Sequence, residues 1–393
     1  MSNIYNIKKE KISYYLSILC MITIFNTDSI RVFGNLSIFY IILILYLFYE
    51  LFSGKIFLKH INKYINIIGI SSVGFIINIL ISDLFAKELN IFVIIGNIYP
   101  LIGTIIFLFL INEDNKKYFV DYSVYTNIFY ISCQIHAIYG LLQAILFIFF
   151  GIRTNNVRGS ILNLRVSGLF PDANIYSFSV LMALSFLLSK ENKNSNIITI
   201  IFRKILIIIN LIVIFLTGSR TAFIVAILII ILNFYFKIKN IKYKIMFIFF
   251  LLFLIIININ NIINLIDYYT YNILGRNIDV ESDIRISILW KTALEIFFKH
   301  PLIGAGTDAV MRQTGTLAHN MILALLSDRG IIGTLIYLFP LIYLFLKAKK
   351  GNKENILMVI SYLLASMGIS NWNLRIPIIL LLFNIWELEI NRK

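Results

Sequence analysis

Apolar residues in this chain come in blocks of about twenty, and that spacing limits the fold more than any single motif does. Val32 to Phe52, Leu89 to Ile111, Ile128 to Phe150 and Ile245 to Ile266 are four such blocks. A helix rises about 1.5 Å per residue, so roughly twenty residues cross a hydrocarbon core about 30 Å thick. A soluble fold needs stripes of apolar residues rather than whole segments of them. Composition points the same way, with 59% hydrophobic and 14% charged residues among 393 and a mean hydropathy of +0.86. AT-rich codon usage would also enrich Ile, Asn, Lys, Phe and Tyr, so the blocks outweigh the totals. Cys20 and Cys133 both fall inside apolar segments and read as small buried hydrophobes rather than as a disulfide or metal ligands.

The blocks predict an all-α polytopic membrane protein, one integral membrane domain over 1–393, with about twelve transmembrane helices. Their expected positions are 12–27, 32–52, 64–82, 89–111, 122–150, 174–189, 204–218, 221–236, 244–266, 331–347, 355–370 and 374–389. Lys8, Lys9 and Lys11 precede the first stretch as in a signal sequence, but no small-x-small cleavage site follows, so it reads as an uncleaved helix. With the N-terminus inside, 22 of the 35 Lys and Arg fall on inner connections and 13 on outer ones, in keeping with the positive-inside rule. The net charge of +15 therefore belongs mostly to inner loops that face anionic lipid headgroups, and nothing in it suggests nucleic acid.

Which basic residue lies where is more informative. Inner loops carry lysine almost exclusively, as in Lys237, Lys239, Lys242 and Lys244, with Arg203 and Arg392 the exceptions. Outer positions carry ten arginines: Arg31, Arg153, Arg158, Arg165, Arg220, Arg276, Arg285, Arg312, Arg329 and Arg375. AT-rich drift would favour lysine everywhere, so outer arginine needs a reason. Its rigid five-donor fork grips phosphate bidentately where lysine offers a flexible point charge. The outer face thus reads as built for an anionic, phosphorylated ligand; the alternative for any one arginine is snorkelling to headgroups.

Two outer connections are long. Gly151 to Asp172 carries Arg153, Arg158 and Arg165. The second, 267–330, is the one large extracytoplasmic loop. In it, Ser282 or Asp283 can cap an amphipathic helix running to about Lys299, ended by Pro301 and Gly304. A second short helix, His319 to Arg329, is expected to stop at Gly330. Two such helices on the outer surface would roof a cavity. Gly304-Ala305-Gly306 lacks the rest of a dinucleotide fingerprint and reads as a helix-terminating turn.

Arg220 sits in the turn Thr217-Gly218-Ser219-Arg220-Thr221. Counted from Lys204 and to Lys237, the flanking helices look short, about 24 and 25 Å, which would draw the guanidinium below the outer surface. An unpaired cation there costs roughly 3 kcal/mol unless it meets a wet cavity or an anion; snorkelling lysines are the alternative. His319 is expected at a helix N-terminus, where the dipole favours a neutral ring available as a base. His60, His136 and His300 lack that setting, and a lone histidine is more often structural. Arg285 falls in the first turn of its helix, where the dipole disfavours a cation slightly. There is no P-loop, no CxxC or HExxH spacing and no GxSxG turn, so a metal-independent, cofactor-free mechanism is the default. Asp83 and Glu88 are spare outer carboxylates that nothing in the sequence brings together.

Taken in order, Thr217-Gly218-Ser219-Arg220-Thr221, Arg285-(x4)-Trp290, His300-Pro301-Leu302-Ile303-Gly304-Ala305-Gly306, Ala318-His319-Asn320 with Leu323, and Gly330-Ile331-Ile332-Gly333 resemble the O-antigen ligase and O-antigen polymerase superfamily over about 216–346. Outside that stretch, 165–174 is similar only loosely. The resemblance implies a glycosyltransferase of the bacterial cytoplasmic (inner) membrane with an extracytoplasmic active site. It would move an oligosaccharide from undecaprenyl diphosphate to an acceptor glycan, either lipid A core or another repeat unit. Arg220 and Arg285, with Arg165 as a further cation, would hold the diphosphate, and His319 would deprotonate or orient the acceptor hydroxyl. The family pattern expects glutamate near Asp328, and that position receives no role. The competing reading is a transporter or flippase of lipid-linked sugars. Transporters place binding residues at the midplane on matched broken helices, whereas Pro100, Pro340 and Pro377 show no pairing and the polar residues gather at the outer boundary.

Overall fold

The computed structural model describes residues 2–24, 31–32, 36–53, 62–86, 91–118, 122–154, 157, 164–190, 196–247, 249, 285–368 and 375–390. Its helices are α1 (Ser2–Thr23), α2 (Ile38–Phe52), α3 (Lys63–Phe85), α4 (Ile91–Tyr118), α5 (Tyr122–Phe150), α6 (Ala173–Ser189), α7 (Ile197–Leu216) and α8 (Arg220–Lys237). After a π-helical turn at Arg285–Trp290 come α9 (Lys291–Lys299), α10 (Ala309–Thr314), α11 (Met321–Ala348), α12 (Lys353–Ser366) and α13 (Arg375–Ile390). Eleven of the twelve predicted segments coincide with a helix. The twelfth, 244–266, lies outside the described residues except for 244–247 and 249. Among the described residues, six helices are long and apolar enough to cross a membrane: α3, α4 over Ile94–Asn112, α5, α7, α8 and α11. One departure from pure helix is a two-residue antiparallel pair, Arg31–Val32 with Leu36–Ser37, so the block expected as a helix from 32 becomes helical only at Ile38.

The exposed faces of the long helices are apolar, and the buried faces carry polar residues among the apolar ones. On α5, Ile131, Ile135, Ile138, Leu142, Ile145 and Phe149 form an exposed stripe at helical spacing, while Ser132, Gln134, His136 and Gln143 are buried. On α7, Ile201, Ile205, Ile208, Ile212 and Phe215 are exposed and Asn210 is buried, where its Nδ2 donates to Gln134 Oε1 at 3.0 Å. A helix in water presents the reverse arrangement. Only a hydrocarbon solvent makes this one favourable, since polar groups then need partners inside the bundle.

At the centre stands α6, buried along nearly its whole length and packed against α5, α7, α8 and α12. Asp172 starts it by accepting from the amides of Asn174 (2.7 Å) and Ile175 (3.3 Å). Ser179, Ser185 and Ser189 return their hydroxyls to carbonyls of their own helix, giving small neutral surfaces that let neighbours approach. The equally buried α13 packs against α4, α5, α11 and α12.

Two expectations need correction. The turn at Gly330 does not end an isolated short helix; helix resumes at once, so that Met321–Ala348 is continuous except for one residue with φ +64° and ψ −171°. Nor is α7 short: it begins at Ile197, seven residues before Lys204, and its 20 residues cover about 30 Å. The length of that helix therefore does not by itself draw Arg220 below the membrane surface.

Side-chain contacts bring the predicted outer ends of the bundle together. Arg375 Nη1 donates to Tyr40 Oη (3.0 Å), Tyr40 packs edge-on against Tyr99, and Asp83 meets Thr307. At the opposite end, Asn384 donates to the carbonyl of Asn352 (3.0 Å) and Lys63 lies 3.8 Å from Glu389.

Candidate functional site

The turn between α7 and α8 owes its form to local hydrogen bonds. Thr217 Oγ1 accepts from the Ser219 amide (3.2 Å), Gly218 takes φ +61°, and Ser219 caps α8 through the Ala222 amide (3.4 Å). Arg220 is thus the first residue of α8, half-buried, with the helix N-terminus beside it. The segment 164–172 folds onto this turn. Its Val166 amide donates to Leu216 O (3.0 Å), and Arg165 Nε donates to Thr217 O (3.0 Å). Gln143 fixes the same segment from α5, donating to Gly168 O (3.0 Å) and accepting from its amide (2.8 Å). Arg165 and Arg220, 55 positions apart in sequence, therefore share one turn.

His319 and the turn carrying Arg285 form a second pair. Trp290 Nε1 donates to Ala318 O at 3.1 Å, tying the end of the π-helical turn to the residue before His319. Leu289, Ala293 and Ile296 bury themselves against Ala309, Val310, Ala318 and Ala324 as a separate apolar cluster, so the 285–324 region has its own small core. The Arg285 side chain lies outside the described residues, as do Ser282 and Asp283, the expected caps. His319 is half-buried with φ +51° and does not open the helix as expected: Asn320 is the N-cap, accepting from Ile322 (3.0 Å) and Leu323 (3.2 Å), and α11 starts at Met321.

A third arrangement is one that reading the sequence did not find. The chain after α9 is laced into the break at Gly330: the amides of Ala305 and Gly306 donate to the carbonyls of Ser327 (2.9 Å) and Asp328 (3.0 Å). In return, Ile331 and Ile332 donate to Pro301 (2.8 Å) and Leu302 (3.1 Å). Gly304-Ala305-Gly306 is thus more than a helix-terminating turn. Below it, the fully buried Arg329 donates through Nη1 to Ser82 Oγ (2.6 Å), pairs with Asp83 Oδ1 at 3.3 Å, and donates through Nη2 to Thr307 Oγ1. Thr307 in turn donates both its amide and its hydroxyl to Asp83, the latter at 2.8 Å. Asp328, unassigned from sequence, accepts the amides of Asp308 (3.1 Å) and Ala309 (3.0 Å), where α10 begins. Asp83 is therefore not spare, and Glu88 lies outside the described residues. The signal was present in the sequence, since an acid within an apolar helix needs a partner, but that partner is 246 residues away.

The arginines expected on the outer face consequently differ in use. Arg329 is spent on the ion pair, Arg312 on the carbonyls of Ala305 and Thr307, and Arg375 on Tyr40 and the face of Phe39. Asp308 stands half-buried beside this cluster. Burial raises its carboxyl above the usual range, Arg329 and Arg312 pull it back, and Asp83 adds to the rise. Among the described residues, no group of three or more His, Cys, Asp or Glu is placed to hold a metal ion.

A bundle that turns apolar side chains outward, keeps partnered polar groups inside and has several helices long and apolar enough to span a bilayer is a multi-pass membrane protein. Over residues 205–338 the chain matches a family model described as O-antigen ligase, which supports the superfamily read from the motifs. The matched stretch contains Arg220, Arg285 and His319, together with Thr307 and Arg329, and leaves out Arg165 and Asp83. No curated protein matches the chain.

Proposed function

We propose that the protein is a glycosyltransferase that moves an oligosaccharide from undecaprenyl diphosphate to an acceptor glycan at the extracytoplasmic face, as an O-antigen ligase or an O-antigen or capsule polymerase. The observation that carries this reading is the family match over 205–338, a stretch that contains Arg220, Arg285 and His319. The folding of Arg165 onto the Arg220 turn supports a shared cationic site there. The excess of lysine on inner loops supports the sidedness, with the enzyme in the bacterial cytoplasmic membrane and the 267–330 loop as its roof.

In this reading, the acceptor hydroxyl oxygen attacks the anomeric carbon of the donor. The bond from that carbon to the diphosphate oxygen breaks, and undecaprenyl diphosphate leaves with the electron pair. His319 takes the hydroxyl proton. Negative charge grows on the leaving group as the bond breaks, so guanidinium groups fixed in advance at Arg220, Arg285 and Arg165 stabilise the transition state more than the ground state. A neutral imidazole has the basicity this proton transfer needs near neutral pH. The chemistry requires no metal and no cofactor. The partners are the lipid-linked donor, the acceptor (lipid A core or a repeat unit) and the surrounding lipids.

The test is transfer by the purified protein from a lipid-linked oligosaccharide donor to an acceptor, with no nucleotide and no ion gradient present. Product formation is the expected result. Movement of donor across a vesicle membrane with no product would replace this reading by the transporter. Surface glycan of a deletion strain separates the two enzymes: single-repeat chains mark a polymerase, whereas missing attached polymer with accumulating lipid-linked chains marks a ligase.

A further inference from the structure

We infer that Asp83 is a positioning residue for the reacting loop: from a helix outside the family-matched stretch, its carboxylate sets the register of residues 304–320 and hence the place of His319. The inference rests on the glycosyl-transfer reading above. Asp83 holds three donors at once, the Thr307 amide, the Thr307 hydroxyl and the Arg329 guanidinium. Apolar contact could press α3 against α11 equally well, but only an anionic two-oxygen acceptor satisfies that set. The anchored residue is also the critical one. Thr307 precedes Asp308, and Asp308 (φ +56°) and His319 (φ +51°) are the non-glycine residues with left-handed backbone among those described. Such conformations persist only where the surroundings over-determine them. At the first end, Asp83 holds Thr307 and Asp328 holds the amides of Asp308 and Ala309, while Arg312 ties α10 back to the carbonyls of Ala305 and Thr307. At the second end, Trp290 and the Asn320 cap hold the residues flanking His319. With the Asp83 carboxylate gone, the first end is free to shift, and the imidazole twelve residues on shifts with it.

The experiment uses the full chain in lipid nanodiscs, comparing wild type with Asp83→Asn, Asp83→Glu and the charge-neutral double variant Asp83→Asn/Arg329→Gln. Amide hydrogen exchange over 304–320 is read beside kcat and KM for the lipid-linked donor. Exchange over 304–320 is expected to accelerate in the double variant while α3 and α11 stay protected. Its kcat should fall about 100-fold, the usual scale for a displaced catalytic group, with donor KM within about twofold. Asp83→Glu should recover part of kcat. Should Asp83→Asn not assemble, the double variant decides, because it removes both partners of the Asp83–Arg329 ion pair together. Unchanged exchange, an unchanged kcat, a loss borne by KM alone, or failure of the double variant to assemble would each overturn the positioning role. If the wild type itself transfers nothing, the glycosyl-transfer reading fails, and the clamp is then judged on exchange alone.

Discussion

Gly330 is where the lacing of the loop into α11 is most exposed to a single methyl group. Its φ of +64° with ψ of −171° is a conformation open essentially to glycine, so alanine there costs about 1–3 kcal/mol in backbone strain. The added Cβ would also lie 2.4 Å from Leu302 C and O and 2.6 Å from Gly304 N, all backbone atoms. Relieving that overlap means pulling the loop away and giving up the bonds from Ile331 to Pro301 and from Ile332 to Leu302. At roughly 0.5–1.5 kcal/mol each, they add about 1–3 kcal/mol. Gly330→Ala is therefore expected to cost roughly 2–6 kcal/mol in all, a large share of the 5–15 kcal/mol that typically holds a domain together. Gly315→Ala is the control: its φ is +76°, but nothing lies within 4 Å of the added Cβ, so only strain of about 1–2 kcal/mol applies. The assay is thermal unfolding of both variants in the same detergent, with transfer activity alongside. Gly330→Ala should lower Tm by several degrees more than Gly315→Ala and abolish most transfer. If the two shift alike, or if Gly330→Ala unfolds within about 1 °C of wild type, close packing of the loop against the helix break does not hold this region in place.

Further expectations concern the proposed site. Arg220→Ala should lower transfer about 100- to 1,000-fold, the cost of losing one transition-state donor, with an unchanged melting curve; Arg220→Lys should recover only part, since a point charge lacks the fork. His319→Ala should lower turnover about 100- to 10,000-fold while donor binding to the purified protein persists; wild-type turnover would remove it as the base. Asp308→Asn tests the burial of that carboxyl. Its folded value is raised above 3.8, so the native state holds the proton more tightly than the unfolded one and wild-type stability falls as pH rises from 3.8 through the raised value. Asparagine tolerates the left-handed backbone and has no charge to bury. The variant's Tm should therefore match wild type at the acid end and exceed it at neutral pH; a gap that closes as pH rises contradicts the assigned cause.

Much of the molecule was legible without coordinates because a bilayer imposes a local rule. Each spanning segment must satisfy its own backbone and be apolar for about twenty residues, so blocks such as 122–150 reveal both helix and limits, and α5 occupies that range. The motifs around Arg220, Arg285 and His319 were legible for a similar reason, as short runs whose residue types carry their meaning. Tertiary structure alone decided which charges are spent and which stand at a proposed site. Arg329 and Arg220 look alike in the sequence, yet one is buried against Asp83 and the other is half-exposed on a helix N-terminus. It also decided that Gly330 interrupts a helix to admit a loop rather than ending one. Both outcomes depend on contacts between residues tens to hundreds of positions apart, and no local pattern of hydropathy or spacing encodes the partner of a charge that the fold itself brings near.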